Sequence, residues 1–300
     1  MLVTLADMMK DANARNYAVI AANCYNYESA RCLIKAAEAE KSPLIINIAE
    51  GHLASYIKRE SLAQEISPMC EATWVPVCIN LDHGFTFEVI VSAISNGFTS
   101  VMTDNSVYSL EDNIERTKKI VDIAHGRGIS VEAEIGHVGQ GDDMSNPGNH
   151  LTDPEEAKKF VDATGIDALA IAVGTAHGEY HGTPVIDFDR IKEIKALLKM
   201  PLVLHGGSGS GDENLATAVD CGINKINVFT DNQANARDKV YEAIESSEKK
   251  LYPLDMMKII WDGIQEKCQY YMRLFKSSGK ADGSIEKTEF HMPWDENADL

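Results

Sequence analysis

The sequence predicts a (β/α)8 barrel, in which eight parallel strands alternate with eight helices and close into a ring. Short apolar runs, typical of buried parallel strands, alternate eight times with longer amphipathic segments. Three of these runs lead into a histidine followed directly by glycine, and the length of 300 residues suits one barrel domain. The alternative is a doubly wound open sheet. No Gly-x-Gly-x-x-Gly motif comes after the first strand, which weakens the dinucleotide-binding form of that alternative.

The predicted strands and helices alternate along the chain. The strands cover Ala18–Ala22, Leu44–Ile48, Val75–Leu81, Ser100–Thr103, Ser130–Glu134, Ala168–Val173, Leu202–Leu204 and Lys225–Val228. The clearest helices between them cover Glu28–Lys41, Phe87–Asn96, Leu110–Arg127, Pro154–Thr164, Ile186–Lys199 and Asn214–Cys221. Asp153 and Pro154 fit the N-cap and first position of their helix. Before the first strand, Leu2–Asn16 predicts a helix that covers the bottom of the barrel, with Thr4 as its N-cap.

The chain ends in a polar, acidic segment. We divide the chain into a single barrel domain over residues 1–281 and an acidic C-terminal tail over residues 282–300. The tail carries two large aromatic side chains, Phe290 and Trp294. Its composition favours a disordered end, and the alternative is a subunit contact through these two side chains.

Composition and charge exclude several classes of protein. Hydrophobic residues make up 44% of the chain and charged residues 25%, which is ordinary for a globular protein with a sizeable core. The net charge of −18 argues against a nucleic-acid partner, although backbone N–H groups can still hold a small phosphate. No apolar run is long enough to span a bilayer, so we expect no membrane partner. The six cysteines are scattered and Met1–Lys10 lacks a signal-peptide core, so we expect a soluble cytoplasmic protein with reduced thiols.

The three strand-end histidines, His83, His177 and His205, predict a metal site. A histidine just past the end of a buried strand has a rigid support at the mouth of the barrel. Imidazole is the commonest protein ligand for zinc, and a catalytic zinc takes three protein ligands and keeps one position open. One such histidine alone would more often be a hydrogen-bonded structural residue, whereas three at equivalent places indicate a metal.

Polar side chains end other strands too, where barrel enzymes place their active sites. They are Asn23, Asp82, Asp104, Glu134 and Asn227, at the ends of strands one, three, four, five and eight. Asp104 and Glu134 could instead cap helices, but we predict that they lie near the metal. Glu132 shares a strand face with Glu134 and is predicted to orient a ligand histidine, whereas Lys225 opens strand eight and is interpreted as structural.

The remaining histidines are interpreted from their positions alone. Those on helices or in other loops are interpreted as surface residues: His125, His137, His150 and His291. Two lie in strand-end loops and could touch a substrate: His52 and His181.

Glycine-rich loops after strands six and seven predict a phosphate site. They are Gly174–Gly178 and Gly206–Gly211. Barrels frequently bind phosphate in the loops after the last two strands, where glycine lets the backbone approach the anion. Ser208 and Thr230 can donate hydroxyl groups there. Tight turns use the same residue types, so ordinary turns are the alternative.

These residues resemble the class II, metal-dependent family of fructose-bisphosphate and tagatose-bisphosphate (ketose-bisphosphate) aldolases. The resemblance runs from about Leu2 to Ala281 with order and spacing preserved. The matching segments are Asn23–Asn26, Lys41–Pro43, Leu81–Gly84, Gly97–Met102, Asn113–Ile114, Val131–Gly136, Gly174–Gly178, His205–Gly209 and Lys225–Asn227.

The resemblance implies a zinc held by His83, His177 and His205. It implies that Glu134 and Asp104 bind the metal in an alternate or accessory site. Substrate and phosphate are then expected at a further set of residues, with a monovalent cation, Na⁺ or K⁺, nearby. On the resemblance we assign Gly178, Gly206, Ser208 and Thr230 to that set, and we add Asn23 from the end of strand one.

The sequence also departs from the family pattern. Family members carry a glutamate in the loop after strand five as a second proton-transfer group, and this loop offers Asp142 or Asp143 instead, of which we assign Asp142. His181 stands where a lysine is common, and Phe229 where an asparagine or aspartate is usual. Ala49 replaces the expected serine after strand two. We therefore expect a divergent paralogue with a changed donor or acceptor.

These observations predict a zinc-dependent aldolase, a carbon–carbon lyase. It would reversibly cleave a ketose phosphate or bisphosphate to dihydroxyacetone phosphate and an aldehyde through a zinc-stabilised enediolate. The resemblance assigns hydroxyl deprotonation to Asp82, and we assign enediolate support to Asn227. One alternative is a metal-dependent sugar-phosphate epimerase or isomerase that uses the same enediolate, and another is a non-catalytic sugar-phosphate-binding subunit. We expect a homo-oligomer.

Overall fold

The structure is a computed structural model that describes residues 1–53, 59–139, 151–178, 180, 182–247 and 250–292. The eight strands are β1 (Val19–Asn23), β2 (Leu44–Ala49), β3 (Val77–Gly84), β4 (Ser100–Thr103), β5 (Ser130–Ile135), β6 (Ala168–Ile171), β7 (Leu202–Leu204) and β8 (Ile223–Val228). Each pairs in parallel with the next along the chain, and β8 pairs with β1 to close the ring. The predicted (β/α)8 barrel is therefore confirmed.

The helices surround this ring. They are α1 (Leu5–Arg15), α2 (Tyr27–Glu40), α3 (Glu50–Leu53), α4 (Arg59–Ala72), α5 (Phe87–Ile94), α6 (Leu110–His125), α7 (Pro154–Thr164), α8 (Phe188–Leu198), α9 (Asp212–Asp220), α10 (Thr230–Ser246) and α11 (Pro253–Leu274). Helices α10 and α11 pack on each other, and α11 also packs on α2, so the chain returns to its first βα unit. Within the described residues, none of the helices combines the length and the hydrophobicity needed to cross a bilayer.

The strands alternate between an outer and an inner environment. On β1, Ile20 points outward into the apolar cluster beneath the helices, whereas Val19 points inward into a smaller cluster that α1 closes. Along β3 the inward-facing residues are Cys78, Asn80 and Asp82 in turn. The barrel interior is therefore apolar at the N-terminal ends of the strands and polar at their C-terminal ends.

Helix α1 covers the bottom of the barrel, as predicted. It begins with a capping box, in which Thr4 Oγ1 accepts from the Asp7 N–H at 3.2 Å and the Asp7 carboxylate accepts from the Thr4 N–H at 3.1 Å. The Ala6 N–H donates to Ser130 Oγ at 2.9 Å, at the first residue of β5. This contact fixes α1 against the N-terminal ends of the strands and leaves the opposite end open for a site.

The expectation of a disordered end is wrong for residues 282–292. Ile285 is buried in the inner cluster with α1, and the Thr288 N–H donates to an α1 carboxylate at 3.3 Å. Phe290 packs against the outer cluster of its own chain. The polar segment is ordered because α1 and the bottom of the barrel provide an apolar cluster in which Ile285 is buried and a carboxylate that accepts a hydrogen bond. Residues 293–300, which include the second aromatic side chain of the tail, lie outside the described residues, and the division between barrel domain and tail stays a prediction.

Candidate active site

Three imidazole rings converge at the C-terminal end of the barrel. His83 Nε2 lies 3.2 Å from His177 Nε2 and 2.9 Å from His205 Nδ1. A tetrahedral zinc with Zn–N bonds of about 2.0–2.1 Å would separate its nitrogen ligands by about 3.3 Å. The spacing and the donor set therefore fit a zinc ion held by the three predicted histidines.

A bulge at the end of β3 brings His83 into the site. Successive residues of a regular strand point to opposite faces, so Asp82 and His83 could not both face the barrel mouth. The β3–β4 register shifts between Leu81 and Gly84, and His83 adopts the left-handed conformation with φ of +50°. The bulge turns the His83 ring inward beside Asp82.

The other two histidines sit in the glycine-rich loops after β6 and β7. The Tyr180 hydroxyl joins these loops, because it accepts from the Ala176 N–H at 2.7 Å and lies 2.7 Å and 2.8 Å from the carbonyl oxygens of Ala176 and Gly206. A Cβ atom at Gly206 would lie 2.1 Å from the Ala176 carbonyl oxygen, and its φ is +68°. Glycine is therefore required for the close approach of the two loops that carry His177 and His205.

Buried carboxylates hold two of the three rings from behind. His83 Nδ1 lies 2.8 Å from Asp104 Oδ2, and His205 Nε2 lies 2.9 Å from Glu132 Oε1. Carboxylates in this position fix the orientation and tautomer of a metal-binding imidazole. Glu132 thus lies where the strand periodicity predicts, whereas Asp104 contacts a ligand ring and also belongs to a second group of possible ligands with His83 and Glu134.

The surroundings of the three histidines keep two of the rings, His177 and His205, in the neutral form. Burial lowers the pKa of His83, but the hydrogen bond to Asp104 and nearby carboxylates outweigh burial and raise this pKa to about 9. Burial, together with the charge of His83, lowers the pKa of His177 to about 4 and that of His205 well below its ordinary value. His177 and His205 therefore keep lone pairs at neutral pH, and the carboxylates that favour positive charge at His83 would equally favour a metal cation in place of its proton.

Glu134 adds an unsatisfied oxygen to this cluster. Its Oε1 accepts from the Val138 N–H at 3.1 Å, while the buried Oε2 has no hydrogen-bond partner in the described part of the chain and lies 3.9 Å from His205 Nδ1. Burial and the charge of Asp104 raise the pKa of Glu134 to about 8. An orphaned buried carboxyl oxygen beside converging imidazoles fits a metal site.

Asp82 is held as an ionised acceptor beside the three rings. The Asn23 amide donates to its Oδ2 at 2.8 Å, and the Asn227 amide donates to its Oδ1 at 3.0 Å. Burial alone would raise the pKa of Asp82, but His83, His205 and a buried lysine outweigh burial and lower it. The carboxylate is therefore both charged and fixed in direction, which suits a proton acceptor.

One cavity of about 520 Å³ opens above these residues. All five predicted substrate and phosphate residues line it: Asn23, Gly178, Gly206, Ser208 and Thr230. So do Asp82, His83, His177 and Asn227, whereas His205 is fully buried beneath them. Asp142, the predicted second proton-transfer residue, lies outside the described residues, as do His150, His181 and the side chain of His52.

The N-terminus of α10 forms one wall of this cavity. Ser208 Oγ accepts from the backbone N–H groups of Phe229 and Asp231, each at 3.2 Å, and Thr230 is the first residue of the helix. The positive end of a helix dipole and two hydroxyl groups suit a phosphate. Phe229 contributes an apolar wall to the same cavity.

Sequence reasoning missed three residues of the site. His137, interpreted as a surface residue, lines the cavity, and its Nδ1 lies 3.1 Å from Ser106 Oγ. Its position shortly after β5 is a usable signal. Phe85, also on the cavity wall, stacks on His83 at 5.8 Å between ring centroids. Tyr180 gives no signal, because its partners come from two different loops.

Comparisons with known proteins give one consistent result. A family model described as fructose-bisphosphate aldolase class-II matches residues 3–280. The fructose-bisphosphate aldolase of Geobacillus stearothermophilus is 40% identical over 287 residues, which cover 93% of this chain and 99% of the relative. That of Staphylococcus epidermidis is 37% identical over 284 residues, with the same coverage. The crystal structure of the YdjI aldolase from Escherichia coli K12 superposes with a TM-score of 0.82 at 34% identity, covering 94% of this chain and 100% of that one.

Proposed function

Because the chain belongs to the class-II fructose-bisphosphate aldolase family, we propose that it is a zinc-dependent aldolase acting on a ketose phosphate or bisphosphate. The products would be dihydroxyacetone phosphate and an aldehyde, in a reversible reaction. The observation that carries the proposal is the convergence of His83 Nε2, His177 Nε2 and His205 Nδ1 beside an ionised Asp82. We propose Asp104 and Glu134 as accessory metal ligands, because they form a second candidate group with His83.

The residues around Asp82 account for the proton transfer. A divalent cation bound by the three histidines would act as a Lewis acid on the oxygens of the substrate. Asp82 lines the cavity and is a fixed acceptor, so it can take the proton from the substrate hydroxyl group whose loss starts carbon–carbon cleavage. Asn227 donates one amide N–H to Asp82, and its second amide N–H can donate to the enediolate oxygen that cleavage creates.

The other end of the substrate meets the α10 N-terminus. We place its phosphate against Ser208, Thr230, Gly178 and Gly206, with Asn23 on the same cavity wall. The dipole of α10 favours an anion there, and a monovalent cation, Na⁺ or K⁺, beside it would offset the remaining phosphate charge.

The protein environment belongs to the same proposal. We place the enzyme in the cytoplasm as a homo-oligomer acting on a small sugar phosphate. All six cysteines are buried and free, which suits a reducing compartment.

Metal analysis and isotope exchange test this function together. Purified protein should contain about one zinc per chain, as a site with three histidine ligands requires. A strong chelator should abolish aldol cleavage, and added Zn²⁺ should restore it. In deuterated water the enzyme should also exchange a proton of dihydroxyacetone phosphate. Exchange without cleavage of any ketose phosphate would indicate an epimerase, and zinc-free protein that neither exchanges nor cleaves would reject the proposal.

A further inference from the structure

A buried lysine lies behind the histidine cluster, on the far side of a carboxylate. Lys225 on β8 and Glu132 on β5 are fully buried, and the Lys225 ammonium lies 3.0 Å from Glu132 Oε1 and 2.8 Å from Oε2. Glu132 Oε1 in turn lies 2.9 Å from His205 Nε2. The three side chains form a line across the barrel interior that ends at the metal-facing Nδ1 of His205.

Lys225 determines which atoms donate and which accept the hydrogen bonds along this line. Lysine carries only donors, whereas a carboxyl group can act as a pure acceptor or can carry a proton and donate it. The Lys225 ammonium donates a hydrogen bond to Glu132 Oε1 and forms an ion pair with Oε2, so the carboxylate acts as an acceptor. The Nε2 of His205 must then donate, and its Nδ1 is left with a lone pair directed at His83 and His177.

We propose that Lys225 is a positioning residue that sets the tautomer of His205 through Glu132. With the opposite polarity, Glu132 would donate to Nε2 and the ring proton would sit on Nδ1, where it would block the metal. This inference rests on the proposed function only in that His205 is a metal ligand. The tautomer itself is a property of the protein without metal.

The surroundings favour this role over a purely structural one. The strand neighbours of this pair inside the barrel are apolar and fully buried: Ala168 is paired with Glu132, and Val203 is paired with Lys225. Apolar side chains of similar volume usually stabilise a core at least as well as a buried ion pair does. A charged pair that touches His205 and is flanked by apolar neighbours is accounted for by its effect on that ring.

Two measurements on the Lys225→Met variant test the proposal. ¹⁵N chemical shifts of labelled histidines in metal-free protein report the tautomer of His205, with its signals assigned by a His205→Asn variant. The wild type should show a single Nε2–H form, and the lysine variant should show the Nδ1–H form or a mixture. Zinc affinity from competition with a chelator should fall about 10- to 100-fold, the size of effect seen when outer-shell partners of ligands are removed.

Two further variants separate positioning from folding. Lys195→Met removes another lysine whose ammonium is held by three oxygen acceptors on the outer side of the barrel, so it should lower stability yet keep the wild-type tautomer and zinc affinity. If Lys225→Met does not fold, the double variant Lys225→Met/Glu132→Gln leaves no unpaired charge and should show the same loss of zinc affinity and a mixed tautomer.

The outcomes are distinct. A single Nε2–H form and a zinc affinity within about threefold of wild type, in either Lys225 variant, would overturn the proposal. Wild-type protein that binds no zinc would overturn the proposed function instead, and the tautomer measurement would still decide the role of Lys225.

Discussion

Replacing Asp82 by asparagine separates proton transfer from metal binding at this site. Both Asp82 oxygens accept hydrogen bonds from amide groups, those of Asn23 and Asn227. In Asp82→Asn the new amide offers one oxygen and one NH2 group, so one of the two neighbours meets a donor instead of an acceptor. That neighbour must rotate its own amide to present its oxygen, which preserves the packing but removes the base.

The expected effect on turnover is large and the effect on folding is small. Loss of a positioned general base typically lowers kcat by about 10²- to 10⁴-fold, which corresponds to about 3–5 kcal/mol of transition-state stabilisation. The broken hydrogen bond would cost about 1–3 kcal/mol of stability if it were left unsatisfied. Amide rotation and the removal of a buried charge offset most of that cost. Zinc content should not change, because the three imidazoles stay in place.

The assay is aldol cleavage coupled to detection of dihydroxyacetone phosphate, with metal content and urea unfolding measured on the same samples. Asp7→Asn is the matched control, because Asp7 is also a buried carboxylate held by hydrogen bonds but lies at the opposite end of the barrel. It should lose stability and keep the wild-type kcat. Turnover of Asp82→Asn within about threefold of wild type, at full zinc occupancy, would show that another group is the base.

Two further predictions concern stability. Gly206→Ala should cost about 1–3 kcal/mol more than Gly279→Ala. Both positions have positive φ, but only at Gly206 would the new Cβ lie 2.1 Å from a carbonyl oxygen, that of Ala176. Urea denaturation of the two variants measures the difference, and equal losses would contradict it. His125→Gln tests a partly exposed ion pair, in which the hydrogen bond to Asp167 raises the pKa of His125 above its ordinary 6.5. Such a pair stabilises the fold fully below the unfolded pKa and loses its contribution as the pH rises through the raised folded pKa. The variant should therefore be less stable than wild type by about 0.5 kcal/mol at about pH 5.5 and equal to it at about pH 9, and a deficit that grows with pH would refute the sign.

Much of the barrel is predictable from local sequence. The β4 and β7 bounds coincide with the predicted runs, and Thr4 forms the predicted cap, because strand hydrophobicity and helix capping act between residues close in the chain. The prediction of a disordered tail is wrong because the order of residues 282–292 comes from contacts with α1, nearly the whole chain length away. Composition indicates whether a segment can pack by itself. The apolar cluster in which Ile285 is buried, in contrast, forms only when the barrel has closed.

Local sequence is enough to identify the residue types at the mouth of the barrel, because the residues directly after each apolar run must lie at the end of a strand. His83, His177 and His205 could be identified on that basis. The way in which the three rings meet depends on the folded barrel. A bulge in β3 turns His83 to the same face as Asp82 against the two-residue period of a strand. Ring closure sets Lys225 opposite Glu132, although they lie 93 positions apart in the chain and their strands are not neighbours. Short-range patterns cannot encode such cross-barrel contacts, because they depend on the angle at which eight strands close around a common axis.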